Sequence, residues 1–358
     1  MSKPALLQMF PQELSQYLKD IGQPAYRAAQ LFHWLHKGVG FNNMSNLPLA
    51  LREELNELAV DLPARIIERF ESDKDGTVKL LFAMLDGHCV EGVLMHYRYG
   101  VTLCLSTQVG CRMGCSFCAS TLEGLARNLS AAEMMHMVLL ANGELGEEKV
   151  HNIVLMGSGE PLDNYDEVVR FLRLVSHEEG LNIGLRHISL STCGLANQID
   201  RLAEEGLPVT LSVSLHAPND EIRQQTMPVA RSVAFKDLLA SCRNYISKTG
   251  RRVVFEYALV DGLNNLPEHA RELAGRLRGM QCHVNLIPLN PVKERSLQSV
   301  TKKQAEGFLR ELEKLNISVS LRREMGEDIA GACGQLRRRY LKQGAALSLE
   351  KNEIPQKE

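Results

Sequence analysis

Three cysteines, Cys111, Cys115 and Cys118, stand in a C-x3-C-x2-C spacing. Thiolates this close in sequence make a ligand set for a soft metal. A closed structural zinc site takes four ligands, whereas three thiolates suit an iron–sulfur cluster with one iron left open. Cys104 lies upstream and could supply a fourth ligand, as could a histidine, so counting alone leaves zinc open. Gly110 and Gly114 flank the first two cysteines. Lacking a Cβ, they allow the positive φ that turns a short loop inward.

The elements around this loop follow from the hydrophobic pattern. VTLCLS, residues 101–106, is apolar enough for a buried strand. Downstream, Ser130 with Glu133 forms a capping-box signature, and AAEMMHMVLLA continues as a helix. The thiols therefore sit on a strand-to-helix loop, where α/β folds place their chemistry. Further strands are expected at 152–156, 187–190, 209–214, 253–259 and 283–287, with helices at 165–176, 198–205, 235–249 and 267–278. Such β–α alternation implies a parallel sheet with right-handed crossovers. With residues 102–106 this makes six strands, short of a closed eight-fold barrel. The fold class is α/β, a partial, open (β/α)6 barrel.

Residues 1–62 read as an N-terminal helical module, with Arg27, His33, His36 and Lys37 on its polar face. That face is either solvated or turned to RNA. Residues 63–98 form a short β-meander with turns at Asp75-Gly76 and Asp86-Gly87. The core spans 99–292. A C-terminal extension, 293–347, holds a helix at 303–315, an edge strand at 317–321, Cys333 and the basic stretch LRRRYLKQ. The tail, 348–358, is polar and expected to fray.

The strand ends carry a second set of chemically able residues. They read Gly157-Ser158-Gly159-Glu160-Pro161, then Ser191-Thr192-Cys193-Gly194, then Ser214-Leu215-His216, then Pro288-Leu289-Asn290-Pro291. Each alone fits a cap or a turn. Together they put hydroxyls, an amide and a carboxylate on one rim, which suits a polar nucleoside or amino-acid ligand.

Charged residues are 23% and the hydrophobic set 44% of 358 residues, with a net charge of −2. Such a chain does not coat itself with nucleic acid, but a local basic patch is enough for RNA. No apolar run reaches transmembrane length, so no membrane association is expected and the chain is expected in the cytoplasm. Nine cysteines in such a chain point to metal or redox chemistry rather than a disulfide frame.

GCRMGCSFCA resembles the signature of the radical S-adenosylmethionine superfamily, and GSGEP resembles the motif that holds the cofactor's amino group. The longer stretches VTLCLSTQVGCRMGCSFCAST, MGSGEPLDNYD, LSTCG, SVSLHAPND, HVNLIPLNP and GEDIAGACGQLRRRY, with N-terminal AYRAAQLFHWLHKGV, are similar to the dual-specificity 23S rRNA and tRNA adenine-C2 methyltransferase family. The resemblance runs over nearly the whole chain. It implies a radical-SAM barrel and methylation of C2 of one adenosine in the peptidyl-transferase centre of 23S rRNA, before full ribosome assembly. It also implies methylation of the adenosine 3′ of the anticodon in some tRNAs. The implied cofactors are one 4Fe–4S cluster and two S-adenosylmethionine molecules consumed per methylation. A flavodoxin-type reductant and a monomeric enzyme complete the expectation.

Carried over by motif, Cys111, Cys115 and Cys118 would hold the cluster. Cys333, in ACGQL, would be methylated first, by polar transfer from one S-adenosylmethionine. A 5′-deoxyadenosyl radical from the second would then take hydrogen from that methyl group before it adds to C2. Cys104, in TLC, would release the product through a transient Cys104–Cys333 disulfide. Glu91, in VEGVLM, matches the proton-acceptor glutamate. Gly159, Glu160, Ser191, Ser214, Leu215, His216 and Asn290 would bind S-adenosylmethionine. Cys89, Cys193, Cys242 and Cys282 read as packing residues. Arg322, Arg323, Arg337, Arg338, Arg339 and Lys342 bracket Cys333 and would hold RNA phosphate near it. MPVARSVAF departs from the family's basic segment, so RNA contact there is expected to be weaker or shifted, and EGVLM stands for the usual ETVLM. The adenine-C8 methyltransferase of the same mechanism would share every catalytic residue, and a non-catalytic iron–sulfur or zinc RNA-binding protein would need neither Cys104 nor Cys333.

Overall fold

The computed structural model describes residues 3–290, 292, 294–322 and 325–329. Cys333, Arg323, Arg337, Arg338, Arg339, Lys342, Pro291 and the tail lie outside the described residues.

Three helices open the chain, α1 (Pro11–Asp20), α2 (Arg27–Leu35) and α3 (Leu49–Leu58). Their apolar stripes, among them Leu14, Leu18, Leu31, Phe32, Leu35, Leu51 and Leu55, are buried in the same core as the sheet. His36, expected on the polar face with Arg27, His33 and Lys37, is instead buried. The helix ends at Leu35, His36 is its C-cap, and the ring turns inward to stack on Phe32 at 3.9 Å. Burial, and next the neighbouring His177, hold its pKa down at about 4.

The meander follows as β1 (Ala64–Glu71), β2 (Val78–Met84) and β3 (Cys89–Tyr97), all antiparallel, and β3 pairs antiparallel with β4 (Gly100–Leu105). A small antiparallel pair, β5 (Gln108–Gly110) with β6 (Leu125–Asn128), brackets the cysteine loop. Then come α4 (Ala131–Glu144), β7 (Val150–Leu155), α5 (Tyr165–Val175), β8 (Ile188–Thr192), α6 (Ala196–Glu204), β9 (Thr210–Ser214), α7 (Asp220–Thr226), α8 (Phe235–Thr249), β10 (Val253–Leu259), α9 (Pro267–Leu277), β11 (Cys282–Pro288), α10 (Lys302–Lys314) and β12 (Val319–Leu321). The expected capping box forms, with Glu133 N–H donating to the Ser130 hydroxyl and Ser130 N–H to the Glu133 carboxylate.

One ten-stranded sheet runs β1-β2-β3-β4-β7-β8-β9-β10-β11-β12. From β4 to β12 every neighbour is parallel. The six expected strands are all present in the expected order, and β12 extends them on the far edge. Alternation along the strands puts Leu103, Ile153, Leu190, Val213 and Phe255 into the core under the helices. The opposite face carries polar and sulfur-bearing residues, including Cys104, Met156, Ser191, Ser214 and Glu256.

The two free edges of this open barrel are joined by the segment after β12. Gly326 N–H donates to the Asp75 carboxylate at 2.9 Å, and Asp328 accepts from the Ser72 hydroxyl at 2.6 Å and from Asp73 N–H at 3.1 Å. The meander's first turn thus grips the chain just before its C-terminal part. Burial opposes ionisation of Asp75, but the Gly326 N–H and the Thr77 and Ser72 groups outweigh it and hold its pKa down to about 2.

Candidate active site

The site is built from strand ends. After β4, Ser106 donates its hydroxyl to the Glu91 carbonyl and accepts Ser158 N–H, which fixes the ends of β3, β4 and β7 together. Gln108 then acts as a hub. Its amide N–H2 donates to Asn128 and Asp163, and its carbonyl accepts Glu160 N–H at 2.8 Å. Gly110 has φ +80°, and a Cβ there would come within 2.0 Å of the Gly124 carbonyl oxygen. The cysteine loop can close on β6 only with glycine at that position. Its far side is held by Ser116 N–H donating to the Thr226 carbonyl at 2.8 Å.

Cys111 and Cys115 are buried and Cys118 is half-buried. Burial pushes the Cys111 thiol up to about 12, against the Met113 N–H that favours the thiolate, and it raises Cys115 as well; the neighbouring Cys118 adds to both. Thiols of that kind stay protonated until a metal displaces the proton. Cys115 packs with Cys193, Met227 and Val229. The MPVARSVAF segment, where a weaker or shifted RNA contact is expected, supplies an apolar wall for the cysteine loop through Met227 and Val229, with Arg231 itself exposed.

The three cysteines line one cavity of about 290 Å³ together with Gly159, Glu160, Ser191, Ser214, His216 and Asn290. Residues read from separate strand ends therefore converge on one space. Leu215, between two of them, does not line this space: its side chain is buried in the hydrophobic core, and its N–H donates to the Glu256 carbonyl at 3.0 Å. Gly159, at φ +112°, brings the backbone so close to Gln108 that a Cβ would lie 2.7 Å from the Gln108 Cβ.

Glu160 is buried, and burial raises its pKa against the hydrogen bonds that favour the ion. One carboxylate oxygen accepts Leu162 N–H at 3.0 Å and the other accepts Cys193 N–H at 2.6 Å. His216 takes φ +54°, rare for a side-chain-bearing residue. Its Nδ1 accepts Ala258 N–H at 2.9 Å, so the ring proton sits on Nε2. Burial, reinforced by the charge of Arg223, lowers its pKa to about 3 and keeps the ring neutral. Asn264 secures this turn, donating to the His216 and Ala258 carbonyls and accepting Val260 N–H.

Cys104 lies on the inner face of β4 with Val93, Met95, Met156 and Met325. Glu91 is on the same face of β3 and pairs with the fully buried Lys79 at 3.0 Å. Arg322, expected on an RNA surface, lines the cavity together with Glu256. Burial raises the Glu256 pKa, opposed by Arg322 and by the Asn285 amide that donates to it at 2.8 Å. Gln108, Asn264, Glu256 and Arg223 were not singled out in the sequence. Only Gln108, a polar residue beside the cysteine loop, carried any signal.

The donor set tests the metal. Among the described residues no three His, Cys, Asp or Glu side chains converge as ligands of a single ion. Cluster thiolates bind separate irons and need not meet at one point. The three thiols, with the Glu160 loop and the neutral His216 lining the same cavity, fit an iron–sulfur cluster beside a polar cofactor.

Comparison with known proteins agrees with this geometry. Residues 105–274 match the radical SAM superfamily and residues 5–60 the ribosomal RNA large subunit methyltransferase N-terminal domain. The chain is 51% identical over 342 residues to a probable dual-specificity RNA methyltransferase RlmN of Alkaliphilus oremlandii, covering 95% of this chain and 99% of that one. It is 50% identical to the protein of the same description in Clostridium perfringens strain 13, over 92% of this chain and 96% of that one. The crystal structure of a radical SAM methyltransferase from Sphaerobacter thermophilus superposes with a TM-score of 0.89 at 43% identity, over 93% of this chain and 98% of that one. The superfamily implies an iron–sulfur cluster and S-adenosylmethionine, which favours the cluster over zinc. The chain belongs to the RlmN family of radical SAM RNA methyltransferases.

Proposed function

We propose that this enzyme methylates C2 of an adenosine in the peptidyl-transferase centre of 23S rRNA, before ribosome assembly is complete, and C2 of the adenosine 3′ of the anticodon in tRNAs. Cys111, Cys115 and Cys118 hold one 4Fe–4S cluster. Gly159, Glu160, Ser191, Ser214, Leu215, His216 and Asn290 bind S-adenosylmethionine. When bound, cluster and cofactor supply the methyl group and the radical that activates it, with two cofactor molecules consumed per methylation. Cys333 carries the one-carbon unit as an S-methylcysteine, Glu91 accepts the proton, and Cys104 frees the product through a transient disulfide with Cys333. The reductant is of the flavodoxin type, and the enzyme works as a cytoplasmic monomer. Among the described residues no helix is long and apolar enough to cross a membrane.

The observation that carries this reading is the convergence of the three cysteines with the Glu160 and His216 strand ends on one cavity. The inner-face position of Cys104 beside Met325, four residues after β12, supports its partnership with the C-terminal extension. A thiol pair outside the cluster makes chemical sense. C2 of adenine carries no acidic proton and is electrophilic, so attack on a methyl sulfonium fails without a protein-bound one-carbon intermediate. That intermediate then needs a second thiol to break its link to the protein.

The test is anaerobic reconstitution with iron and sulfide, then incubation of 23S rRNA and tRNA with S-adenosylmethionine and reductant, and mass mapping of both RNAs. 2-Methyladenosine in both is the expected result. 8-Methyladenosine would move the enzyme to the C8 reaction. A loaded cluster that forms 5′-deoxyadenosine without methylating RNA would overturn the substrate assignment.

A further inference from the structure

Arg223, on α7, is fully buried. Its Nη2 donates to the Cys193 carbonyl at 2.6 Å, while Nε and Nη1, also buried, meet no acceptor. A guanidinium keeps its proton in proteins, so it cannot escape the cost by neutralising. A buried charge with unpaired donors is among the most expensive arrangements a fold can hold. Asp220, on the same helix, lends Arg223 a nearby negative charge but no hydrogen bond, its carboxylate accepting Phe235 N–H at 2.7 Å.

The neighbourhood of Arg223 is rich in sulfur. Its charge acts on the Cys115, Cys193 and Cys242 thiols. Its helix is bonded to the cysteine loop through Ser116 N–H and the Thr226 carbonyl. Met227, just past the helix end, packs with Cys115 and Cys193. A buried cation with spare donors therefore sits beside the wall of the cavity where negative charge is expected.

We propose that Arg223 is the buried counter-ion of the iron–sulfur cluster and raises the cluster's reduction potential. The inference rests on Cys111, Cys115 and Cys118 holding that cluster. Ligation deprotonates each thiol, so the loaded site gains negative charge at the sulfurs. One-electron reduction adds one more. A fixed positive charge in a site of low dielectric favours the reduced form over the oxidised one. Net charge around a cluster is one of the levers by which proteins set its potential. Arg223 is thus a positioning charge, and the free protein carries its cost until the cluster arrives.

The test is a redox titration of the reconstituted enzyme, followed by electron paramagnetic resonance, with dithionite as the one-electron reductant. Arg223→Met and Arg223→Gln should lower the reduced-to-oxidised ratio at fixed potential at least tenfold, equivalent to about 59 mV more negative. Arg223→Lys should stay near wild type. Equal potentials in all four proteins would overturn the proposal. Loss of the cluster from the Met and Gln variants, with Lys retaining it, supports the same counter-ion role. Loss from the Lys variant too, with native circular dichroism, would overturn it. Loss of native circular dichroism in the Met and Gln forms before any cluster is added would also overturn it, since Arg223 would then serve the fold. Absence of a cluster in the wild type would instead strike the cysteine assignment on which the inference rests.

Discussion

The Glu160 carboxylate accepts the backbone N–H of Cys193 at 2.6 Å, so the loop after β7 is tied to the end of β8 by a side chain rather than by strand pairing. The second oxygen holds Leu162 N–H in the same loop. Glu160→Gln preserves the shape but turns an N–H2 toward one of these donors. A buried mismatch of this kind costs about 1–3 kcal/mol. We expect S-adenosylmethionine affinity to fall roughly tenfold, a factor equivalent to about 1.4 kcal/mol. Calorimetry on the reconstituted protein checks this, and an unchanged Kd would count against it.

Lys79 and Glu91 form an ion pair with side chains only 0% and 6% exposed. Removing one partner leaves the other charge in the interior without this ion pair. Lys79→Met should therefore cost about 3–5 kcal/mol, and the double change Lys79→Met/Glu91→Leu should restore much of it. Urea denaturation of the single and double variants reads the difference. A double variant as unstable as the single would mean that packing, not charge, dominates there.

Three buried histidines make the protein acid-sensitive. His36 and His136 are held down to about 4 and His216 to about 3, in each case first by burial. Unfolded, each takes up its proton near 6.5, so below that pH the unfolded chain binds more protons than the folded one. The stability from keeping these rings neutral is complete above about pH 6.5 and declines as pH falls toward the folded values. Each contributes about 1.4 kcal/mol per pH unit in that window. The urea midpoint should fall steeply from pH 7 to pH 5, and a flat profile would contradict the burial described.

Two glycines should respond oppositely to alanine. At Gly275, in the interior of α9, a Cβ meets nothing within 4 Å, and Gly275→Ala should stabilise by about 0.4–1 kcal/mol. At Gly159 the Cβ would lie 2.7 Å from Gln108 Cβ and 2.8 Å from Gln108 N, with φ at +112°. Overpacking there should cost about 1–3 kcal/mol and also weaken cofactor binding. Thermal melts and calorimetry on the two variants separate the effects.

The parallel strands were readable because their core-facing positions are apolar and helical segments separate them, although burial alternates along several of them, as in Ile188–Thr192 and Cys282–Pro288, instead of running continuously; their rims were readable because chemistry in such sheets collects at strand ends. The capping box at Ser130 was readable because its partners lie three residues apart. Asn264 was not readable, since it joins a turn to the His216 carbonyl 48 residues away. The β5–β6 pair escaped notice because strands of three and four residues show no period. His36 misled because it was grouped with the basic residues by type, whereas its place four residues after Phe32 puts it on the apolar stripe, where it stacks. Arg223 drew no notice in the sequence, and only the packing of α7 against the cysteine loop reveals it as interior.

The hydrogen bonds from Gly326 and Ser72 across the barrel's two edges join residues 251 and 256 positions apart in the chain. Closing a loop of that size costs about 5 kcal/mol of chain entropy if the intervening residues are free, and far less once they are folded. The contact therefore favours forming after the strands between have assembled. During synthesis the Asp75 turn emerges early and must wait for nearly all of the described chain before its partner exists. The segment after β12 is thus joined to a barrel that is already built, so assembly order itself fixes which of the two edges waits for the other.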